Sequence, residues 1–285
     1  MDVISLQSCV TSGYVGNAAA IPTLEATGVT PWAVDSVRYA HHPGHGPVTP
    51  EVPATSALSR SLAEAISHCT PPACLLSGYL VNAEQGRMLL AQLREARHDN
   101  RLDAYYLDPV FGDDAEGTYV DPALISFFRD EALPESTVLL PNRYELVSLS
   151  GMPVDNIDEA VKAARSLIER GPELVFVSSI PAPDRQACRA LANVLVNGRE
   201  AWSVTVKNLP LHAKGTGDML SAAFCGLHAQ GLSPSLAMTK AVSIVDAAAT
   251  DAANQGTIEL DLPKILKSFA LSAKVSPPAS PHRIA

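Results

Sequence analysis

The sequence predicts a single-domain α/β fold, a doubly wound and mostly parallel sheet with helices on both faces. Three observations carry that expectation. Short apolar runs of strand length alternate with longer helical patterns along most of the chain. The 285 residues are 47% hydrophobic, enough for a sizeable core, and no repeat or low-complexity linker divides them. Polar residues, glycine or proline follow most of the apolar runs directly, so the turns that would build a ligand site gather at the carboxyl ends of the strands. One domain over residues 1–274 is expected, with a Pro-rich tail at 275–285 predicted to be disordered.

The elements follow in order. Val3–Leu6 reads as the first strand and runs into a polar, Gly-containing turn from Gln7 to Gly16. Asn17 is suited to cap a helix carrying Ala18, Ile21, Leu24 and Ala26, with Pro22 in its early turns, where a missing N–H matters least. A second strand is expected at Pro31–Ser36, and His41–Pro47 is too rich in Pro and Gly for anything but a loop or flap. Ala57–Cys69 reads as helix, Ala73–Ser77 as a buried strand, Ala83–Arg97 as an amphipathic helix and Ala104–Asp108 as a strand closed by Pro109. Thr137–Leu140 repeats the strand pattern before Pro141, two helices follow near Tyr144–Leu149 and Ile157–Arg170, and Leu174–Val177 reads as strand. The runs Ala190–Val196 and Glu200–Val206 flank Asn197-Gly198, a strong hairpin signal. Long helical patterns at Gly217–Gln230 and Pro234–Asn254 and a short one near Pro263–Ala270 close the domain.

Composition excludes several function classes. With 21 Lys+Arg against 30 Asp+Glu the net charge is -9, which disfavours a general nucleic-acid binder. No apolar run approaches the roughly 18 residues of a membrane span, and Met1–Ile4 carries no basic leader, so a soluble, cytoplasmic protein is expected. Cys9, Cys69, Cys74, Cys188 and Cys225 are odd in number and never spaced C-x-x-C, which points to small buried residues rather than a disulfide or zinc framework.

The most informative segment is Lys214-Gly215-Thr216-Gly217-Asp218, directly before a strong helix. Two glycines flanking a Thr let backbone N–H groups converge on an anion, and the helix N-terminus adds partial positive charge. Asp218 in the first turn is then placed as a general base facing a hydroxyl that attacks a phosphoryl group. The same spacing serves equally well a tight turn with Asp218 as a helix cap. G-x-x-x-x-G-K-[ST] is missing and G-x-G-x-x-G is incomplete, which removes a P-loop and weakens a dinucleotide site.

Six blocks in order are similar to the pyridoxal kinases of the ribokinase-like superfamily, over about Ile4 to Asn254. They are Gln7-Ser8, Gly13-Tyr14-Val15-Gly16-Asn17, Ser77-Gly78-Tyr79-Leu80, Asp108-Pro109-Val110-Phe111-Gly112-Asp113, Pro141-Asn142 with Glu145-Leu146, and Gly215 to Asp218. The resemblance implies ATP-dependent phosphorylation of the 5′-hydroxyl of pyridoxal, pyridoxine or pyridoxamine. Asp218 would be the base, and the amides of Gly215, Thr216 and Gly217 the anion hole. Ser8 would meet the polar edge of the pyridine, with Val15, Tyr39 and Tyr79 sandwiching the ring. Asp108 and Glu145 would hold Mg²⁺ directly or through water, Asn142 would support them, and Gly112, Asp113 and Tyr119 would border the nucleotide. The implied cofactors are ATP and Mg²⁺, with room for a monovalent cation such as K⁺, and the implied assembly is a homodimer.

This chain departs from the pattern in the flap, where His41-His42-Pro43-Gly44-His45 stands in place of the usual Asn-His-Thr. Pro43 offers no donor, while His42 remains a candidate substrate contact. Three histidines on a Pro-Gly loop lack the fixed geometry of a zinc site. Ser178, after its strand, can hydrogen-bond ATP but brings no charge, and Lys214 is placed to offset that. Pro181–Arg185 has no assignable role. The alternatives are a kinase for hydroxymethylpyrimidine or another small heterocycle, and a non-catalytic relative that binds pyridoxal phosphate.

Overall fold

A computed structural model of the chain describes residues 1–182, 190–210, 213–272 and 281–284. Its first half alternates as the periodicity requires: β1 Asp2–Val10, α1 Asn17–Thr27, β2 Thr30–Tyr39, α2 Thr55–His68, β3 Ala73–Ser77, α3 Ala83–His98 and β4 Leu102–Leu107. A small hairpin, β5 Gly112–Asp113 and β6 Gly117–Thr118, precedes α4 Pro122–Phe127, β7 Val138–Leu139, α5 Arg143–Ser150, α6 Ile157–Ile168 and β8 Leu174–Ala182. Then come β9 Ala190–Asn197, β10 Ala201–Lys207, α7 Thr216–Ala229, α8 Pro234–Gln255, α9 Leu262–Ser272 and β11 His282–Arg283.

The main sheet has the order β2-β1-β3-β4-β7-β8-β9-β10-β11. It is parallel from β2 to β8 and antiparallel beyond. Alternation along β1 explains the two layers. Ile4 and Leu6 enter a core shared with α2, α3 and α6, whereas Val3 enters the opposite core built by α1, α7 and α8. Asn197 makes the β9–β10 hairpin as expected, its Oδ1 accepting from the amides of Arg199 and Glu200 at 2.8 and 2.7 Å. Among the described residues, no helix is long and apolar enough to cross a membrane.

Two expectations change, and one stretch without an expectation is structured. Asn17 does not cap α1. Gly16 takes that position, and Asn17 is the first helical residue, buried and hydrogen-bonded across to β2, because its amide finds acceptors there that a cap would forgo. Pro122–Phe127, a π turn at Phe128–Ala132 and a 3-10 turn at Leu133–Glu135 fill a stretch without a sequence signal, since Pro122 and Pro134 read as breakers. The buried rings of Phe127 and Phe128 hold it in place. Part of the tail is ordered: Arg283 pairs with Trp202 and His282 with Ser203, and the amide of Ile284 donates to Ala201 at 2.8 Å. The edge of β10 supplies backbone partners that local sequence does not reveal. Residues 273–280, Cys188 and the 183–185 part of Pro181–Arg185 lie outside the described residues. Cys69, Cys74 and Cys225 are buried and Cys9 half-buried, all as free thiols.

Candidate active site

The loops after β1 and β4 meet the first turns of α7, through Tyr14 and Gly16 on one side and Asp108 on the other. Gly215 enters α7 with φ +83°, and a Cβ there would lie 1.8 Å from the carbonyl oxygen of Tyr14, so only glycine fits. Around Gly217, by contrast, nothing lies within 4 Å of an added Cβ. α7 is seated against α1 as well as against the β1–α1 loop. Gly226 permits that seating, since a Cβ there would meet Thr27 Oγ1 at 2.1 Å. Thr216 turns its hydroxyl back to the carbonyl of Ala213 at 3.3 Å. Asp218 accepts from the amide of Gly16, and burial pushes its carboxyl up to about 6 despite that bond.

A second pair of carboxyls lies beside it. Asp108, just past β4, is 6% exposed and accepts from Ser221 Oγ at 2.6 Å. Burial, with Asp218 adding to it, pushes Asp108 up to about 8. Glu145 is 2% exposed and completes a capping box on α5. Its oxygens accept from the amides of Phe111 at 3.1 Å and Asn142 at 2.9 Å, while the side chain of Asn142 accepts from the Glu145 amide at 3.0 Å. Burial and the nearby Asp108 raise the Glu145 pKa, and the amide bonds oppose them. Asn142 Nδ2 donates to the Gly112 carbonyl at 2.7 Å, which ties the β5–β6 hairpin to α5.

The donor set fits a hard cation. Asp108 and Glu145 are both buried, Asp218 adds to the rise of the Asp108 pKa and Asp108 to that of Glu145, and Asp108 has an oxygen not committed to Ser221. Glu145 is committed to backbone amides and would reach a cation through its remaining lone pairs or water.

The remaining predicted residues divide between two flanks. On the hairpin side, Asp113 Oδ1 accepts from the amides of Ala115 and Glu116 at 2.8 and 2.7 Å and shapes the turn. Tyr119 leaves 43% of its surface exposed but turns its hydroxyl inward, where burial, then Glu145, Asp108, Asp113 and Asp218, push its pKa up. Ser178 lies within β8 rather than after it, where the strand bulges, and its amide donates to Pro141 at 3.0 Å. On the flap side, Val15 is buried, Ser8 is half-buried against Gly16, and the hydroxyls of Tyr39 and Tyr79 hydrogen-bond each other. His42 Nδ1 accepts from the Gly44 amide at 3.0 Å and caps the 3-10 turn Pro43–His45, in which Pro43 is exposed. Burial, then Lys214, lowers the His42 pKa. Lys214 joins the flanks, its Nζ 2.5 Å from Glu116 Oε1 and its stem 3.5 Å from a Cβ at Gly44. Among the described residues, no three metal-ligating side chains converge, the flap histidines included.

Sequence reasoning missed Ser221, Glu116 and Glu259. Ser221 had a signal, being three residues beyond Asp218 and so on the same side of α7. Glu116, which pairs with Lys214, and Glu259, which holds His45 at 2.6 Å, had none, for each meets its partner across long sequence distances.

The family model described as phosphomethylpyrimidine kinase matches residues 11–261. The chain belongs to that family. A pyridoxal kinase of Rubrobacter xylanophilus is 32% identical over 243 residues, 84% of each chain. One from Granulibacter bethesdensis is 31% identical over 266 residues, covering 91% of this chain and 93% of its own. The family's fold is shared with pyridoxal kinase from Entamoeba histolytica (TM-score 0.88, 19% identity, 99% of both chains). It is also shared with that from Leishmania donovani in complex with ADP and pyridoxine (TM-score 0.83, 24% identity, 99% and 98%). The kinship expected from the six sequence blocks is thus met.

Proposed function

We propose that the chain is a pyridoxal kinase, transferring the γ-phosphoryl group of ATP to the 5′-hydroxyl of pyridoxal or its hydroxymethyl analogues. The observation that carries the reading is the first turn of α7, where the open space beside Gly217 adjoins the buried carboxyl of Asp218. Phosphoryl transfer needs positioning and charge neutralisation more than covalent help.

Asp218 takes the hydroxyl proton as the oxygen attacks, and its elevated pKa brings that transfer closer to balance near neutral pH. Amides at Gly215, Thr216 and Gly217, together with the α7 dipole, receive the negative oxygens of the transferring group. Lys214 leaves Glu116 to pair with phosphate, a stronger charge partner. Val15, Tyr39 and Tyr79 flank the ring and Ser8 meets its polar edge. The flap, held by His45 on Glu259, limits water, and His42 faces the substrate from it. On the other side Gly112, Asp113, Tyr119, Asn142 and Ser178 border the nucleotide. Asp108 and Glu145 would hold Mg²⁺, which when bound neutralises charge on the phosphates.

A product assay by mass spectrometry tests this. The protein is incubated with Mg²⁺-ATP and equimolar pyridoxal, pyridoxine, pyridoxamine and hydroxymethylpyrimidine. Protein-dependent B6 5′-phosphate is the expected product. Phosphorylation of the pyrimidine alone would favour the second reading, which the family model's description supports. No phosphorylated product would overturn both. Light scattering reads the homodimer that the resemblance implies, and replacement of Na⁺ by K⁺ reads the monovalent-cation dependence.

A further inference from the structure

We infer that Glu259 is a positioning residue, which clasps the tip of the flap through His45 and holds it beside the entrance to α7. The inference rests on the proposed kinase activity. The amides of the tip do not fasten it to the body. Those of Gly44, His45 and Gly46 are taken up inside the turn, by His42 Nδ1 at 3.0 Å, the His42 carbonyl at 3.0 Å and the Pro43 carbonyl at 3.1 Å. The base of the flap is fastened by backbone, with the amides of Thr11 and Ser12 donating to the carbonyls of Tyr39 and Ala40 at 2.9 and 3.0 Å. The tip reaches the body through a side chain instead. His45 Nε2 lies 2.6 Å from Glu259 Oε1, and because a carboxylate only accepts, Nε2 carries the proton between them.

Glu259 stands where three segments meet. It belongs to the connection between α8 and α9, and its amide donates to Thr257 Oγ1 at 3.1 Å. The neighbouring carbonyl of Ile258 accepts at 2.9 Å from the amide of Lys214, the residue before Gly215. Glu259 Oε2 lies 2.8 Å from where a Cβ on Gly13 would stand, so the β1–α1 loop passes close against it. The stem of Lys214 bounds the tip as well, 3.5 Å from a Cβ position at Gly44. The tip therefore sits between Glu259 and Lys214. His42, the proposed substrate contact, belongs to the same cluster. Its ring centroid is 6.3 Å from that of His45, and Lys214, Glu116, His45 and Glu259 all act on its charge.

Of the two carboxylates in this cluster, Glu259 is the one that nucleotide leaves in place. In the proposed reaction Lys214 is drawn from Glu116 to phosphate, whereas the His45–Glu259 pair takes no part in that exchange. With His45 30% and Glu259 42% exposed, the pair adds little to overall stability, and its effect falls on the position of the flap. A flap already closed in the free enzyme leaves less for the substrate to order on binding.

The test reads the flap and the activity separately. Hydrogen exchange at the amides of Gly44, His45 and Gly46 should quicken about 3-fold in Glu259→Ala, with α7 and the Tm unchanged, as suits a partly exposed pair. In initial-rate kinetics Glu259→Ala and His45→Ala should each raise the KM for pyridoxine about 3-fold, with kcat and the ATP KM within about 1.5-fold, because the Ile258–Lys214 backbone bond stays. The double variant should lose no more than either single one. Glu259→Gln, whose Oε1 still accepts from His45 Nε2, should restore most of both readouts. Unchanged exchange at the tip would overturn the inference, as would additive losses in the double variant or an ATP KM that rises with that of pyridoxine. A lowered Tm with faster exchange throughout the protein would also overturn it, by marking Glu259 as structural only. A wild-type protein that phosphorylates no B6 vitamer removes the kinase reading, and the exchange result then decides the clasp by itself.

Discussion

Two glycines two residues apart should respond in opposite ways to the same added methyl. At Gly215 alanine must adopt φ +83°, at about 1–2 kcal/mol, and its Cβ would press to 1.8 Å of the Tyr14 carbonyl oxygen. That oxygen is backbone and can yield only if the β1–α1 loop shifts, adding about 1–3 kcal/mol. Gly215→Ala is therefore expected to lose about 3 kcal/mol of stability. At Gly217, in the first turn of α7, nothing lies within 4 Å of the new methyl and the backbone is not left-handed. Alanine there should leave stability unchanged or raise it by up to about 1 kcal/mol. Its methyl nevertheless enters the space assigned to the phosphoryl oxygens, and kcat should fall about 10²-fold, as for loss of an oxyanion donor. Urea denaturation and steady-state kinetics on both variants are the assay. A Gly217→Ala enzyme with kcat within 2-fold of wild type would refute the assignment of that space. Equal stability of the two variants would refute the packing argument.

The remaining predictions concern charge. Because burial holds Asp218 at about 6, kcat/KM should fall tenfold per pH unit below that value, and Asp218→Asn should lower turnover by about 10²–10⁴-fold while keeping ATP binding. For stability the sign is the reverse of a salt-bridged carboxylate. The folded pKa lies above the ordinary 3.8, so stability is full below 3.8 and is lost as pH rises through about 6; Asp218→Asn should unfold at higher urea than wild type at pH 8, the gap closing below pH 4. Ser221→Ala removes the donor to Asp108 and should raise that pKa by about one unit or more; in a magnesium titration the half-saturating concentration should rise about tenfold at pH 7, with the gap narrowing by pH 9. Lys214→Met should raise the ATP KM about tenfold, whereas Glu116→Gln, which frees Lys214, should lower it about 2-fold, both read from initial rates.

Much of the fold is legible before any coordinates. Ala73–Ser77 coincides with β3 because five consecutive buried residues bounded by Pro and Gly have no other use in an α/β chain. The α7 N-terminus is legible as well, since Gly-Thr-Gly-Asp before a long apolar helix is a local pattern. The segment from Pro122 to Glu135 was not legible, for two prolines and fewer than two turns of regular helix hide an element held by the burial of Phe127 and Phe128. β11 was equally hidden, since a two-residue edge strand is defined by its partner, Trp202-Ser203, and not by its own composition.

By itself the sequence determined the alternation of strands and helices and the Gly-Thr-Gly-Asp turn that opens α7. These depend on residues within one or two turns of one another, where hydrophobic period and backbone freedom act directly. The tertiary structure alone decided which carboxyls share a site, that Asp108 leans on Ser221 while Glu145 is consumed by the α5 cap, and that Lys214 rests on Glu116. Each of these is a contact between distant segments. Its direction follows from donors and acceptors that only chain packing brings within 3 Å.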